Sequence, residues 1–323
     1  MKAKVEVVIS GAAGAFPECK SIPEFEEALF NKTDLVTCDD RKWKQTSGHP
    51  SYCGKAFSHE KFDALFFKVP FSSPTTMDPI AKKCLETSVE AIFDAGVNPK
   101  SLSGTRTAVY AIYDFSEFEM GVIDAQSQRA ILGIARTFAA NRLSFALNLK
   151  GPSFAALGGY GQTLHFIDEA KRQLEEGEID AAVIVTANYI LTPTSLAILH
   201  DMGLAAHDGK CRSFDENAQG YSRSESCVAF FLQRAPEARR NYATVIGAEY
   251  RFFGTKEGNA LALDGGPAKD MLRQLYSKWN VDPADVGYIE ADGSGIKDRD
   301  AKEVDILSDI FVVSEESPSL LDR

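Results

Sequence analysis

Residues 150–164 constrain the fold of this chain more than any other stretch. Phe154 to Leu157 form a short apolar run, and glycines then surround a single large side chain, Tyr160. From Thr163 apolar residues recur every three or four positions, which is the period of an amphipathic helix. We predict a strand that turns through the glycines into a helix, with Tyr160 on a sharp, exposed elbow. A side chain there faces the free N–H groups and the positive dipole end of the helix, where enzymes commonly place a nucleophile.

The rest of the chain alternates apolar runs with amphipathic stretches. The run from Ala181 to Thr186 shows no alternation, which is typical of a strand buried on both faces. We predict strands at Val5–Ile9, Thr107–Ile112, Ala181–Thr186, Cys227–Leu232, Ala243–Ala248 and Val286–Ala291, and helices at Pro23–Leu29, Ile80–Ala95, Ile131–Phe145, Thr194–Leu204, Pro267–Trp279 and Ala301–Phe311. Strands that alternate with helices indicate an α/β fold with a mostly parallel sheet.

The pattern begins a second time after a polar hinge near residues 236–241. We therefore predict two halves, 1–235 and 236–323, of which the second is much shorter and lacks some of its strands. Residues 31–75 carry no sustained period, and we interpret them as a long excursion that forms a lid or packs on a neighbouring subunit.

Composition and motifs exclude several classes of function. A formal net charge of −11 without a basic stripe argues against a nucleic-acid partner. No stretch approaches the length of a membrane span and no signal peptide begins the chain, so a cytoplasmic location is the default expectation. Ala13 occupies the second glycine position of a dinucleotide-binding loop, so that motif is rejected.

Cysteines and acidic residues give no sign of a metal or cofactor site. The six cysteines have no C-x-x-C spacing and are expected to be reduced thiols. Asp298, Asp300, Glu303 and Asp305 lack the order of a calcium loop, and we interpret them as a solvated acidic face.

Several short motifs occur in an order and spacing that resemble a known family. They are Ser10-Gly-Ala-Ala-Gly14-Ala-Phe-Pro17, Met77-Asp-Pro79, Glu90-Ala-Ile-Phe-Asp-Ala-Gly96, Ala140-Asn-Arg-Leu-Ser-Phe145, Lys150-Gly-Pro-Ser153, Ser213-Phe-Asp215 and Gly220-Tyr-Ser-Arg-Ser-Glu225. Together they resemble the β-ketoacyl synthase module of animal-type fatty acid synthases. The resemblance implies a thiolase-like α/β fold, with the first half complete and the second truncated.

The family's chemistry uses a cysteine at the elbow and two histidines. The resemblance places Tyr160 at the cysteine position and Asp292 at the position of the first histidine; the second histidine lies beyond the last residue of the chain. A phenol titrates near pH 10 against about 8.5 for a thiol, so little of it is ionised at neutral pH. An anionic Asp292 would repel the oxyanion that a histidine N–H stabilises.

These substitutions predict a ketosynthase-like protein that is not a condensing enzyme and has no catalytic, cofactor or metal residues of its own. Its expected role is binding, regulation or protein interaction; the alternatives are an acyl-transfer or thioesterase-type enzyme with a relocated nucleophile such as Cys211, or a carrier of a fatty-acyl ligand. Tyr160 would either fill the vacated pocket or contact a ligand, and Asp292 would cap the turn at Gly293.

The resemblance also implies partners. Family ketosynthases pair through the segment before the elbow, so we expect a homodimer through Gly151–Leu157. The truncated second half is expected to leave an exposed sheet on which a protein partner could dock.

Overall fold

The computed structural model describes residues 5–44, 52–56, 61–69, 77–113, 116–119, 133, 135–157, 161–254 and 263–311. The chain divides into two compact units. The first contains residues 1–43, 53–193 and 224–250, and the second contains residues 44–52, 194–223 and 251–323. The predicted division at residue 235 follows the sequence pattern instead and stays a prediction.

The strands are short and the helices carry most of the length. The strands are β1 (Val7–Ala15), β2 (Val36–Thr37), β3 (Cys53–Gly54), β4 (Thr107–Ile112), β5 (Ser153–Ala156), β6 (Ala181–Asn188), β7 (Ser226–Arg234) and β8 (Ala243–Thr244). The α-helices are α1 (Ile22–Phe30), α2 (Pro79–Asp94), α3 (Phe138–Leu147), α4 (Gln162–Glu176), α5 (Thr194–Asp201), α6 (Gly265–Trp279) and α7 (Lys297–Ile310).

The first unit is built on a six-stranded sheet in the order β5-β4-β6-β7-β1-β8. Strand β4 is parallel to both β5 and β6, whereas β7 runs antiparallel to β6 and β1, and β8 antiparallel to β1. The α/β class is confirmed, but the expectation of a mostly parallel sheet is wrong. An unbroken apolar strand reports burial on both faces and carries no information about strand direction.

The central strand β6 shows why its sequence does not alternate. Val183 and Val185 point into a core shared with α2 and α3, while Ala182 and Ile184 point into a second core under α4. All four side chains are almost completely buried. The sheet is therefore covered by helices on both faces, and the prediction of a doubly buried strand is confirmed.

Strand β1 continues through Gly11 and Gly14, beyond the predicted end at Ile9. Its pairing with β7 continues to Ala15, with an irregularity between Ile9 and Gly11. A Cβ atom on Gly11 would lie 2.1 Å from the carbonyl oxygen of Ala91 in α2. Glycine at this position serves a close approach of helix to strand and does not form a turn.

Capping side chains and a glycine mark the ends of α1 and α2. Ser21 accepts a hydrogen bond from the N–H of Glu24 at the start of α1, and Asp78 accepts one from Ile80 at the start of α2. Gly96, with φ of +72°, follows the end of α2. The helix predicted from Ile131 is different: residues 131, 132 and 134 lie outside the described residues, and α3 begins only at Phe138.

The sequence predicts the second half less well. The strand predicted at Ala243–Ala248 is reduced to two residues, and residues 286–291 form no strand. A strand needs a neighbouring backbone to pair with, and within the described ranges none pairs with 286–291. The exposed sheet that was expected to receive a protein partner is therefore not found there. Among the described residues no helix is long and apolar enough to cross a membrane.

Candidate functional site

The predicted elbow is confirmed on both sides of Tyr160. Strand β5 ends at Ala156 and helix α4 begins at Gln162, with Gly161 as its N-terminal cap residue. Residues 158–160, and with them the predicted nucleophile position, lie outside the described residues. A Cβ atom on Gly161 would lie 2.4 Å from the ring of Tyr250, so a larger residue there would require that ring to move.

An aromatic stack joins the strand and the helix that flank residues 158–160. The rings of Tyr110 and Phe154 are stacked, with centroids 6.2 Å apart. The ring of Phe166 on α4 also stacks on Tyr110, with a centroid distance of 4.8 Å. The hydroxyl of Tyr110 donates to Gln173 at 2.9 Å, and burial raises the pKa of this phenol to about 12. The stack ties β4, β5 and α4 together.

Strand β5 forms one edge of the sheet. It pairs with β4 on one side, while Phe154 and Leu157 are 56% and 58% exposed. His165 on α4 is also exposed. Its ring lies 6.4 Å from that of Tyr250.

A buried carboxylate orders the backbone at the end of β6. Glu225 is fully buried and accepts hydrogen bonds from the N–H groups of Ala56 at 2.8 Å and Ile190 at 2.7 Å. The ammonium group of Lys42 binds both of its oxygens. Lys42 was missed because it lies in the excursion of residues 31–75, where no period marks it.

A second buried carboxylate continues this arrangement. Glu117 accepts hydrogen bonds from the N–H groups of Leu191 at 2.6 Å and Thr192 at 2.5 Å. Three successive backbone N–H groups after β6 are therefore held by acidic side chains. This backbone leads from the sheet towards helix α5.

In the second unit, the turn at 292–295 includes the position that the resemblance assigns to a histidine. The expectation that Asp292 caps this turn is wrong. Its side chain is 63% exposed and pairs with Arg299 at 3.3 Å. Glu303 holds the turn instead, by accepting hydrogen bonds from the N–H groups of Asp292 at 2.7 Å and Gly293 at 2.9 Å.

The expectation of a solvated acidic face is also wrong for part of that cluster. Asp300 is 2% exposed and accepts hydrogen bonds from the hydroxyl of Ser294 and the N–H groups of Gly295 and Phe214. Asp300 and Glu303 are one helical turn apart on α7, so both reach the same loop. Their side chains serve as structural acceptors.

Cys211, the candidate for a relocated nucleophile, lies beside the same turn. The residue is exposed, and its sulfur contacts the carbonyl oxygen of Gly293 at 3.7 Å and the hydroxyl of Ser213 at 3.6 Å. Cys227, in contrast, is fully buried in β7, so these two cysteines differ in accessibility.

Sequence comparison assigns the chain to a family. The profile of the β-ketoacyl synthase N-terminal domain matches residues 4–238, and the profile of the β-ketoacyl synthase C-terminal domain matches residues 242–321. The chain therefore belongs to the β-ketoacyl synthase family, as its motifs indicated.

Relatives and solved structures agree with this assignment. The chain is 36% identical over 322 residues to a fatty acid synthase of Anser anser anser, covering 98% of this chain and 91% of the relative. It is 27% identical to the polyketide synthase PksL of Bacillus subtilis, of which it spans 7%. A ketosynthase from module 6 of the bacillaene synthase of Bacillus subtilis superposes with a TM-score of 0.85 at 27% identity, over 95% of this chain and 54% of that one. The thiolase-like fold is confirmed, and the chain spans about half the length of this solved ketosynthase.

The expectation that the chain is not an enzyme is wrong on these findings. Both domain profiles belong to a family of synthases, and the relatives named above are synthases. The expectation gave two single positions, Tyr160 and Asp292, more weight than a match along the whole chain. Enzymatic function must therefore be the starting point for this protein.

Proposed function

We propose that this chain is an acyl-thioester enzyme of the β-ketoacyl synthase family whose chemistry does not use a cysteine at position 160. The observation that carries the substrate class is the family match across residues 4–238 and 242–321. The sequence carries the second part, because Tyr160 follows the glycines of the elbow where the family has its cysteine. Acyl transfer or thioester hydrolysis needs another nucleophile, or an activated water.

Cys211 is the thiol that we assign to this role. The residue is exposed beside the turn 292–295, so an acyl thioester can approach it from solvent. A transfer to Cys211 would form a new thioester on Sγ and release the carrier thiol, which takes up the cysteine's proton. The same step at Tyr160 would require a phenol to be deprotonated, which is harder near neutral pH.

The test is incubation with malonyl-CoA and octanoyl-CoA, followed by intact-mass analysis and measurement of free CoA. We expect release of CoA above the blank and an acyl adduct that the variant Cys211→Ser does not form. The variant Cys38→Ser is the matched control, since Cys38 is the other exposed thiol among the described cysteines. If the protein neither releases CoA nor gains mass, the proposed function is wrong.

Acyl binding without turnover is the second candidate, and the phenol at position 160 favours it. A tyrosine can pack against an acyl chain through its ring without forming an ester. Native mass spectrometry after loading with octanoyl-CoA would then show a complex that retains the intact thioester. Bare protein after loading, with no release of CoA, would contradict both candidates.

We also propose a homodimer through β5. Among the described residues the strand is paired on one side only, and the exposed side chains of Phe154 on it and Leu157 directly after it are apolar. An open apolar edge is a template for pairing with another strand, and a second copy of the chain offers the same segment. Light scattering should report a dimer for the wild type and a monomer for Leu157→Asp. A wild-type monomer at high protein concentration would exclude this arrangement.

A further inference from the structure

Phe214 has an unusual backbone conformation in the second unit. Its φ angle is +63°, in the left-handed region. Residues with a side chain adopt this region reluctantly, because Cβ approaches the following carbonyl oxygen, and for a bulky residue it is a true outlier. Such a conformation persists only where the surrounding structure holds it in place.

The group that holds Phe214 is the buried carboxylate of Asp300. One oxygen of Asp300 accepts the N–H of Phe214 at 3.0 Å and the N–H of Gly295 at 3.1 Å. The other oxygen accepts the hydroxyl of Ser294 at 2.7 Å. A single side chain therefore binds two segments that are about eighty residues apart in sequence.

Further contacts join the same two segments. Ser213 donates its hydroxyl to the carbonyl oxygen of Gly293 at 2.6 Å, and the N–H of Gly220 donates to the carbonyl oxygen of Gly295 at 2.8 Å. The ring of Phe214 lies against Gly293, where a Cβ atom would be 3.3 Å from it. The strained residue thus covers the turn that includes position 292.

We propose that Asp300 is a positioning residue that keeps Phe214 in its left-handed conformation and thereby closes the turn 292–295 under the phenyl ring. Without the carboxylate, the backbone of Phe214 relaxes, the ring leaves Gly293 and the turn opens. The inference rests on the proposed function only in treating this turn as part of the acyl-thioester site.

The test is a double-mutant cycle between Asp300→Ala and two substitutions of Phe214, measured by amide hydrogen exchange. Asp300→Ala should raise exchange at residues 214 and 295 about tenfold, since both N–H groups lose their acceptor. The N–H of Gly220 donates to the carbonyl oxygen of Gly295 and not to Asp300, so its exchange reports whether the two segments separate. It should also rise in Asp300→Ala, and Phe214→Gly in the same chain should restore much of its protection, because glycine adopts a positive φ without strain. Phe214→Ala is the matched control: it also removes the ring but retains Cβ and its strain, so it should not restore protection.

Two more variants separate positioning from general stability. Asp298→Ala removes an exposed carboxylate from the same first turn of α7 and should leave exchange at residues 214 and 295 unchanged. Asp300→Asn can still present one oxygen to both N–H groups and should retain most of the protection. If Asp300→Ala changes exchange by less than twofold, or if Phe214→Ala restores protection as well as Phe214→Gly does, the proposal is wrong.

Binding of octanoyl-CoA gives a readout that the proposed function shares. Asp300→Ala should weaken binding several-fold, and Phe214→Gly in the same chain should recover part of it, with thermal unfolding of the first unit unchanged. A wild type that binds no acyl-CoA would contradict the proposed function, whereas the exchange cycle would still decide the role of Asp300. Unchanged binding in Asp300→Ala, when the wild type binds, would refute the positioning role.

Discussion

The two units of this chain are stabilised in different ways. In the first unit, helices cover both faces of the sheet, and the two large clusters of buried apolar side chains both lie there. In the second unit, the described loops are held by buried or half-buried carboxylates that accept backbone N–H groups, above all Asp300 and Glu303. Apolar burial gives a large stabilisation without strict geometry, whereas hydrogen bonds give a smaller one that depends on position.

The largest effect should come from matched Leu→Ala substitutions in the two units. Leu232 is fully buried between β7 and α4, and Leu275 is 5% exposed on α6 of the second unit. We expect a loss of about 4–5 kcal/mol for Leu232→Ala and about 2–3 kcal/mol for Leu275→Ala, because the cost rises with the cavity that remains. Urea unfolding measures both, with Leu29→Ala at an exposed site as the control. Equal losses at the two buried sites would remove the contrast in packing.

The next effect tests whether the first unit also depends on a buried carboxylate. Each oxygen of Glu225 accepts a backbone N–H, from Ile190 and Ala56, so the amide of Glu225→Gln must turn its NH₂ group towards one of these donors. We expect a loss of about 3 kcal/mol, since a donor and Lys42 both lose their partner in the interior.

Glu237→Gln is the control for that substitution. Glu237 pairs with Arg234 and its side chain is 44% exposed, so this variant should unfold within about 0.5 kcal/mol of the wild type. Comparable losses for the two glutamates would mean that Glu225 contributes only as a surface ion pair does.

The same difference between the units explains what the sequence could and could not predict. Burial of apolar side chains has a period, so the strands β4, β6 and β7 and the helices α2 and α4 were placed within a few residues of their observed ends. The hydrogen bonds that Asp300 and Glu303 accept from backbone N–H groups leave no periodic pattern in the sequence, and both residues were therefore interpreted as part of a solvated face. Strand direction was missed for a related reason. The pattern of apolar residues indicates which faces of a strand are buried, but not whether its neighbours run parallel or antiparallel to it.

The candidate site likewise contains one part that the sequence predicted and one that it did not. Glycine spacing and the helical period placed the elbow between β5 and α4. The roles of Lys42 and Glu117 depend on contacts between segments far apart in sequence, which a single sequence does not reveal.

A smaller effect concerns the pH dependence of the free energy of unfolding and two aspartates, Asp78 and Asp282, whose side chains cap backbone N–H groups. Asp78 is buried at the start of α2, and burial raises the pKa of its carboxyl above the ordinary value. A carboxyl whose pKa is higher in the folded state destabilises the fold as pH rises through that pKa, because the unfolded chain ionises more easily. Asp78→Asn retains an oxygen that can cap Ile80, so its stability relative to the wild type should increase from pH 4 to pH 7.

The control is Asp282→Asn, which changes an exposed aspartate that caps Ala284 in the second unit. Urea unfolding at several pH values should show a larger pH-dependent difference for Asp78→Asn than for Asp282→Asn. A difference for Asp78→Asn that does not change with pH would mean that burial has little effect on this carboxyl.

The smallest effect separates two acidic residues at the turn 292–295. Glu303 accepts two N–H groups, one on each oxygen, so Glu303→Gln must turn its NH₂ towards one of them and should cost about 1 kcal/mol. Asp292, whose exposed side chain only pairs with Arg299, should cost less than about 0.5 kcal/mol when replaced by asparagine. Urea unfolding measures both variants, and amide exchange at residues 292 and 293 shows whether the turn itself has opened. A larger loss for Asp292→Asn than for Glu303→Gln would show that the exposed ion pair, and not the acceptor on α7, holds this turn in place.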